Sequence, residues 1–216
     1  DRILIAVSGG KDSLALLELM AARVKVLKPR FEVVAAHIVM TNIPYQTDTA
    51  YLTEFSRNLG VEMHIVETSF DATGDTRKSP CFLCSWNRRK ALFETAKSLG
   101  CNKIALGHNQ DDVLETFLLN LLYTGSLSTF APKSYMDRSQ VTLIRPLILL
   151  SEKDAKHFVK KYNKSIMPKV CPMDERTKRE TMKEQIFLWQ KDIPMIRANL
   201  FGAISRNLDG WKKTEK

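Results

Sequence analysis

Residues 2 to 24 read RILIAVSGGKDSLALLELMAARV: an apolar run of strand length, a glycine pair, then the helix pattern DSLALLELM. Gly9 and Gly10 allow a tight turn where strand gives way to helix, and they let main-chain N–H groups approach a ligand closely. Ser8 and Ser13 add hydroxyls, and the helix N-terminus adds its partial positive charge. The stretch describes an anion cradle at the carboxyl end of a strand, the edge at which open α/β sheets bind ligands. It is neither G-x-x-x-x-G-K-[ST] nor G-x-G-x-x-G, and a plain glycine turn is the simpler alternative.

Outward from this point the strand signature repeats. FEVVAAHIV (31 to 39), MHIVE (63 to 67), KIALG (103 to 107) and VTLIRPL (141 to 147) alternate with helical periods at about 46 to 59, 84 to 98 and 110 to 122. Strands alternating with helices imply right-handed crossovers, so the expected fold class is α/β, a doubly wound parallel five-stranded sheet. TGSLSTFAPKSYMDRSQ, between the last two strands, reads as a long loop. Beyond residue 150 the pattern turns helical. Ser151 followed by Asp154 predicts a capping box, and further helices are expected over 174 to 189 and 194 to 208. The predicted organisation is an α/β domain over 1–150 that contains the anion cradle, and a basic helical C-terminal region over 151–216 that carries Cys171.

The chain has 216 residues, 44% of them hydrophobic, enough to bury a core without a disulfide or metal staple. Four cysteines are too few for a secreted disulfide scaffold, and neither a signal-peptide pattern nor an apolar run of bilayer length is present. A cytosolic protein with reduced thiols is expected, and no membrane association. Asp1 leading straight into a strand implies residues upstream of it. The net charge is +9, and residues 151 to 216 hold 16 Lys or Arg against 9 Asp or Glu. That asymmetry points to a polyanion, nucleic acid first, with solvated helix faces as the alternative.

GHNQDDVLETFLLNLLYTG (107 to 125) follows the KIAL strand. Gly107 permits a sharp turn, and Asp111 and Asp112 then open a helix with Val113, Leu114, Phe117, Leu118 and Leu121 on its apolar face. The acids could simply complement the helix dipole. Both glycine-bearing strand ends, however, fall at one edge of the sheet, so the acids are expected to face the first loop across a cleft.

CFLCSWNRRK (81 to 90) poses a separate question. A cytosolic setting disfavours a Cys81–Cys84 disulfide, and a thioredoxin-like pair normally follows the first strand, which here serves the glycine loop. A metal remains. Zinc wants four ligands, whereas the chain offers only Cys101 and Cys171 with His37, His64, His108 and His157 scattered. Cys101, between a helix end and an apolar strand, reads as a small buried residue, while Cys171 lies in the Pro-flanked stretch MPKVCPMDER. Three thiolates would suit a cubane cluster with one open iron, and counting alone leaves zinc open.

SGGKDS resembles the SGGxDS loop of the ATP pyrophosphatase (PP-loop) family, enzymes that cleave ATP between the α and β phosphates and leave AMP on the substrate. The adenine nucleotide alpha hydrolase-like fold is what this resemblance implies. GHNQDDVLET is similar to the tRNA-modifying members, the lysidine synthetases and tRNA thiolases. With the C-x₂-C before an Arg pair and a later cysteine beside a proline, residues 1 to about 205 resemble the tRNA 2-thiocytidine and 2-thiouridine synthetases. Two departures bear on the base: GHN replaces the usual GHH of the 2-thiocytidine group, and a single Cys171 replaces a second C-x₂-C.

The resemblance implies ATP held by Ser8, Gly9, Gly10, Lys11, Asp12 and Ser13, with His37, Gly107 and Arg145 of IRPL nearby. Lys11, Asp12 and Asp111 would be catalytic. A carboxylate beside triphosphate needs a cation between them, so Mg²⁺ held by Asp12 is expected. Cys81, Cys84 and Cys171 would hold a [4Fe–4S] cluster, and Arg88, Arg89 and Lys90 would contact RNA. The implied function is ATP-dependent tRNA thiolation, with tRNA and a sulfur donor (cysteine desulfurase or sulfide) as partners; homodimers are common in the family. The alternatives are a lysidine synthetase-like or other PP-loop ligase with structural zinc, or a non-catalytic RNA- or nucleotide-binding protein.

Overall fold

Strand β1 (Arg2–Ala6) is covered on both faces, with Ile3, Leu4 and Ile5 at most 5% exposed. A near-continuous apolar run of this kind belongs at the centre of a parallel sheet. The computed structural model describes residues 1–26, 28, 30–43, 47–71, 79–161 and 178–211. In it β1 feeds α1 (Lys11–Val24), followed by β2 (Glu32–Met40), α2 (Thr49–Asn58), β3 (Met63–Thr68), α3 (Pro80–Ser98), β4 (Lys103–Ala105) and α4 (Gln110–Thr124). Then come β5 (Lys133–Met136), β6 (Val141–Ile144), α5 (Glu152–Lys161), α6 (Lys178–Asp192) and α7 (Ile196–Asn207).

The sheet order is β3-β2-β1-β4-β6-β5. The chain winds outward from β1 to β3, then crosses back to place β4 on the other side of β1, with Ile3 opposite Lys103 and Ile5 opposite Ala105. The switch in winding direction therefore falls between β1 and β4, and a crevice opens there at the carboxyl edge. Side chains alternate across the sheet. Ile3 and Ile5 pack with Leu14, Leu17 and Leu52 beneath α1 and α2, while Leu4 packs with Leu92 and Ala96 of α3 on the opposite face.

The sheet has six strands where five were expected. β5 pairs antiparallel with β6 (Lys133 opposite Ile144, Met136 opposite Val141) inside the stretch read as loop. Its exposure alternates along only four residues, KSYM, too short and too polar a segment for a period-two signal to stand out. Helix α3 also starts earlier than expected: Ser79 caps it by accepting from the Phe82 N–H at 3.2 Å, and Pro80 takes the first helical position. Both Cys81 and Cys84 consequently lie within the helix. The predicted capping box of α5 is present, with Ser151 N–H donating to Asp154 at 3.0 Å and Asp154 N–H donating to the Ser151 hydroxyl at 3.2 Å. Helices α6 and α7 share a core with α4, where Met182, Ile186 and Ile204 meet Val113, Leu114 and Phe117. This packing brings basic side chains of the C-terminal region up to the acidic helix start.

Candidate active site

The glycine loop is wired by its own serines. Ser13 Oγ donates to Gly10 O at 2.9 Å and accepts from Ser8 N–H and the Ser8 hydroxyl, each at 3.1 Å. Gly9 has φ +85°, a conformation that an L side chain adopts only at a cost. Gly10 caps α1 with no side-chain oxygen, so none competes for the first-turn N–H groups. From the neighbouring strand end Gly107 comes close: a Cβ there would lie 3.1 Å from the Asp12 carbonyl carbon and 3.2 Å from Ser13 N. These are backbone atoms that cannot swing away as a side chain would, so any Cβ at 107 would press the two strand ends apart by a few tenths of an ångström.

The expected cleft between Asp12 and the second acidic motif exists. Asn109 joins them: it forms a capping box with Asp112 and donates from Nδ2 to Asp12 Oδ1 at 3.1 Å. Lys11, Asp12, Asp111, Asp112, Glu152 and Lys183 line one cavity of about 340 Å³. Asp111 is buried, hydrogen-bonded by the Arg197 guanidinium of α7 and by the Glu152 N–H at 2.6 Å. Lys11 pairs with Asp12 at 2.8 Å and Glu152 at 3.2 Å, and Lys183 reaches Glu152 at 2.6 Å. Arg179 lies 3.5 Å from Asp112 and 3.8 Å from Glu115.

These contacts set the charges. Burial opposes the Lys11 ammonium, yet the hydrogen bond and charge of Asp12, with Glu152, hold its pKa above the ordinary value. Burial likewise works against ionised Glu152, but Lys183 and Lys11 together pull it down to about 2. Glu115 goes the other way: burial, then the neighbouring Asp112 charge, pushes it up to about 7. Glu115, Glu152, Arg179, Lys183 and Arg197 were not singled out from sequence. The i, i+4 steps from Asp111 to Glu115 and from Arg179 to Lys183 are signals that could have found three of them, while Glu152 and Arg197 carry no such mark.

A second cavity, about 270 Å³ and mostly apolar, opens on the α3 side of the loop, lined by Ser8, His37, Arg88, Arg89, Phe93 and His108 among others. His37 is buried with Nδ1 2.7 Å from Val7 O, and burial lowers its pKa. The His108 ring stacks on Phe130 at 4.7 Å between centroids, and its buried Nδ1 has no hydrogen-bond partner among the described residues. Burial first, then the charges of Arg145, Arg179 and Arg89, bring His108 down to about 4, so it is neutral at physiological pH. Arg145 does not line either cavity. It is buried, its guanidinium 4.9 Å over the Phe130 ring on which His108 also packs, and bonded to Ala131 O and, at 3.3 Å, Ser134 of β5. Lys90 is exposed and pairs with Glu94 at 3.8 Å.

No disulfide joins Cys81 and Cys84. They occupy the second and fifth positions of α3, a spacing that turns both toward the side of the helix carrying Arg88. Two soft thiol donors at a helix N-terminus fit iron–sulfur ligation, and a third ligand would have to come from elsewhere. The expected one, Cys171, lies outside the described residues. Among the described residues no group of three His, Cys, Asp or Glu is poised as a metal site. Cys101 is 5% exposed and burial raises its pKa, the profile of a core residue. Nor is any described helix long and apolar enough to cross a membrane.

A serine-wired glycine loop at the switch point of a doubly wound sheet, facing an acidic helix start, defines a class of phosphate-binding α/β proteins. Within that class the chain belongs to the PP-loop domain family, whose sequence model matches residues 1–188. It is 34% identical over 209 residues to the tRNA-cytidine(32) 2-sulfurtransferase of Pseudomonas paraeruginosa, spanning 94% of this chain and 76% of that protein. The protein of the same name from Syntrophotalea carbinolica is 36% identical over 208 residues, spanning 94% of this chain and 80% of the relative. The U34-tRNA thiolase NcsA from Methanococcus maripaludis, solved with its [4Fe-4S] cluster, superposes with TM-score 0.80 at 23% identity. That match covers 98% of this chain and 74% of NcsA, and it shows a shared fold.

Gly107→Ala is expected to force the β1 and β4 strand ends apart, lowering stability by about 1–3 kcal/mol in urea titration and weakening ATP binding. His108 should titrate near 4 by NMR. Because an unfolded histidine titrates near 6.5, its contribution to stability is complete above that pH and is lost as pH falls toward 4. Titration of native His108 near 6.5 would contradict its burial.

Proposed function

We propose that this chain is an ATP-dependent tRNA sulfurtransferase that replaces the C2 oxygen of a cytidine in tRNA by sulfur. The observation that carries the reading is the meeting of three features around Ser8. The glycine loop, the acidic start of α4 and the cysteine-bearing helix α3 all converge on adjoining cavities. Relatives matching over nine-tenths of this chain are named for cytidine thiolation, which favours cytidine over uridine despite the GHN variant.

In this scheme the loop N–H groups and Lys11 hold the pyrophosphate end of ATP, and Asp12 with Asp111 would hold a magnesium ion, which when bound neutralises phosphate charge. The base enters the apolar cavity, and its C2 oxygen attacks the α-phosphate. A bond from that oxygen to phosphorus forms as the α–β bridge breaks, releasing pyrophosphate. Sulfide, as HS⁻, then adds at C2, the C–O bond breaks with AMP as leaving group, and the thiol proton passes to solvent. Neutral His108 and Arg88 face that cavity, where they can donate to the developing charge and orient the base. Cys81 and Cys84, with Cys171, would hold a [4Fe–4S] cluster, which when bound supplies an open iron to carry sulfur beside the activated base.

Free sulfide would supply the sulfur directly, whereas the persulfide of a cysteine desulfurase would first take two electrons from a thiol reductant of the cytosol to release sulfide. The basic helices of the C-terminal region would grip the tRNA backbone, and two copies would act as a homodimer.

Anaerobically purified protein should contain iron, absorb broadly in the visible, and release pyrophosphate from ATP in a tRNA-dependent manner. Cys81→Ala, Cys84→Ala and Cys171→Ala should each bleach the visible absorption, while Cys101→Ala leaves it intact. Stoichiometric zinc without iron, or tight tRNA binding with no pyrophosphate release, would instead favour the ligase or the non-catalytic alternative.

A further inference from the structure

Helix α3 buries Ala91, Leu92, Thr95 and Ala96 against the sheet, but it also carries large aromatic side chains toward solvent. Phe82 and Trp86, one turn apart, are 48% and 51% exposed. Arg89 and Lys90 follow on that side, both exposed, with the Lys90 ammonium 5.9 Å from the Trp86 ring centre. Phe93, one turn beyond Arg89, continues the row, and Arg89 and Phe93 both line the apolar cavity that contains Ser8 and His108. The row therefore runs from open surface to the mouth of the cavity assigned to the reacting base.

We propose that this row is a stacking platform for unpaired nucleotides of the substrate RNA, with Trp86 carrying a base that flanks the one entering the cavity. The proposal rests on the tRNA-thiolation reading above. A base whose C2 oxygen must reach a phosphate has to leave its stack, and its neighbours in a loop then lose a stacking partner. An aromatic face beside cations meets both needs, replacing the lost stacking and neutralising the phosphates that come with it.

Charge selects RNA over another protein as occupant. Arg89, Lys90 and, further along, Lys97 border the aromatics, while Glu94 is paired with Lys90 at 3.8 Å. The centres of protein–protein interfaces are depleted in lysine, whereas single-strand binding grooves combine bases and cations in this way. A half-exposed Trp86 adds little to the core, so its presence here is better explained by what docks on it.

The test compares the cluster-containing protein and its variants in binding two RNAs: a hairpin with an unpaired pyrimidine-rich loop, and a fully paired duplex of the same composition. Trp86→Ala should weaken hairpin binding by about tenfold at low and high salt alike, leave duplex binding unchanged, and keep the wild-type melting temperature. Trp86→Phe should restore hairpin affinity to within about threefold. Lys90→Ala should instead flatten the salt dependence for both RNAs. Wild-type hairpin affinity in Trp86→Ala would overturn the proposal while leaving the thiolation reading in place. So would a change in sedimentation without a change in RNA affinity, which would mark the row as a contact between two copies of the chain. Failure of the wild-type protein to bind either RNA would bring down the thiolation reading itself.

Discussion

The packing of Gly107 against the Asp12–Ser13 backbone is the contact on which the rest of the site depends. Hydrogen bonding of β4 directly beside β1 delivers two loops to one place, and the absence of a side chain at residue 107 lets them close without displacing the Asp12–Ser13 backbone. Because they close, Asn109 can cap α4 and bond Asp12 with the same side chain. The anion cradle and the acidic motif, 97 residues apart in sequence, become one surface. Local chain stiffness at the cradle comes from Ser8 and Ser13, so it is formed before any ligand arrives.

On either side of this junction the environments differ, and the difference suits a two-stage reaction. Toward α6 and α7 the cavity is ionic: Asp12, Asp111, Asp112, Glu115 and Glu152 are threaded by Lys11, Arg179, Lys183 and Arg197. Such a network exchanges partners readily when a metal ion and phosphates enter, since each carboxylate already has a cation and each cation a carboxylate. Toward α3 the cavity is largely apolar and holds two histidines kept neutral by burial. Water is a competing nucleophile for an activated base, and an apolar wall lowers its access. The C-terminal helices are part of this division, because Arg197 and Lys183 bring their charges to the acids only through the shared core of α4, α6 and α7.

Much of this was readable in the chain itself, for identifiable reasons. The strand-to-helix punctuation of SGGKDS and the β-branched runs determined the winding, and the position of Gly107 after KIAL determined which loops meet. β5 escaped because four residues with two polar positions carry almost no periodicity; its consequence is local, the anchoring of Arg145 away from both cavities through Ser134. The basic partners of the acidic motif escaped for another reason. Arg179, Lys183 and Arg197 lie far downstream on helices whose exposed faces are rich in charge; the i, i+4 step puts Arg179 and Lys183 on one face, but no helical period says that this face meets the acids. The early start of α3 places the Cys81 and Cys84 thiols on one helix side with Arg88, which the sequence pattern alone did not show, whereas Cys171 lies outside the described residues and its part rests on the family pattern.

Thiolation of a tRNA cytidine by this fold and site is tested most directly by nucleoside mass spectrometry of tRNA from cells lacking the gene, beside cells restored with the wild-type chain. 2-Thiocytidine is expected to disappear on deletion and return on restoration, while unmodified cytidine rises in step on deletion. Unchanged 2-thiocytidine, with the loss of another modified nucleoside or of none, would contradict it.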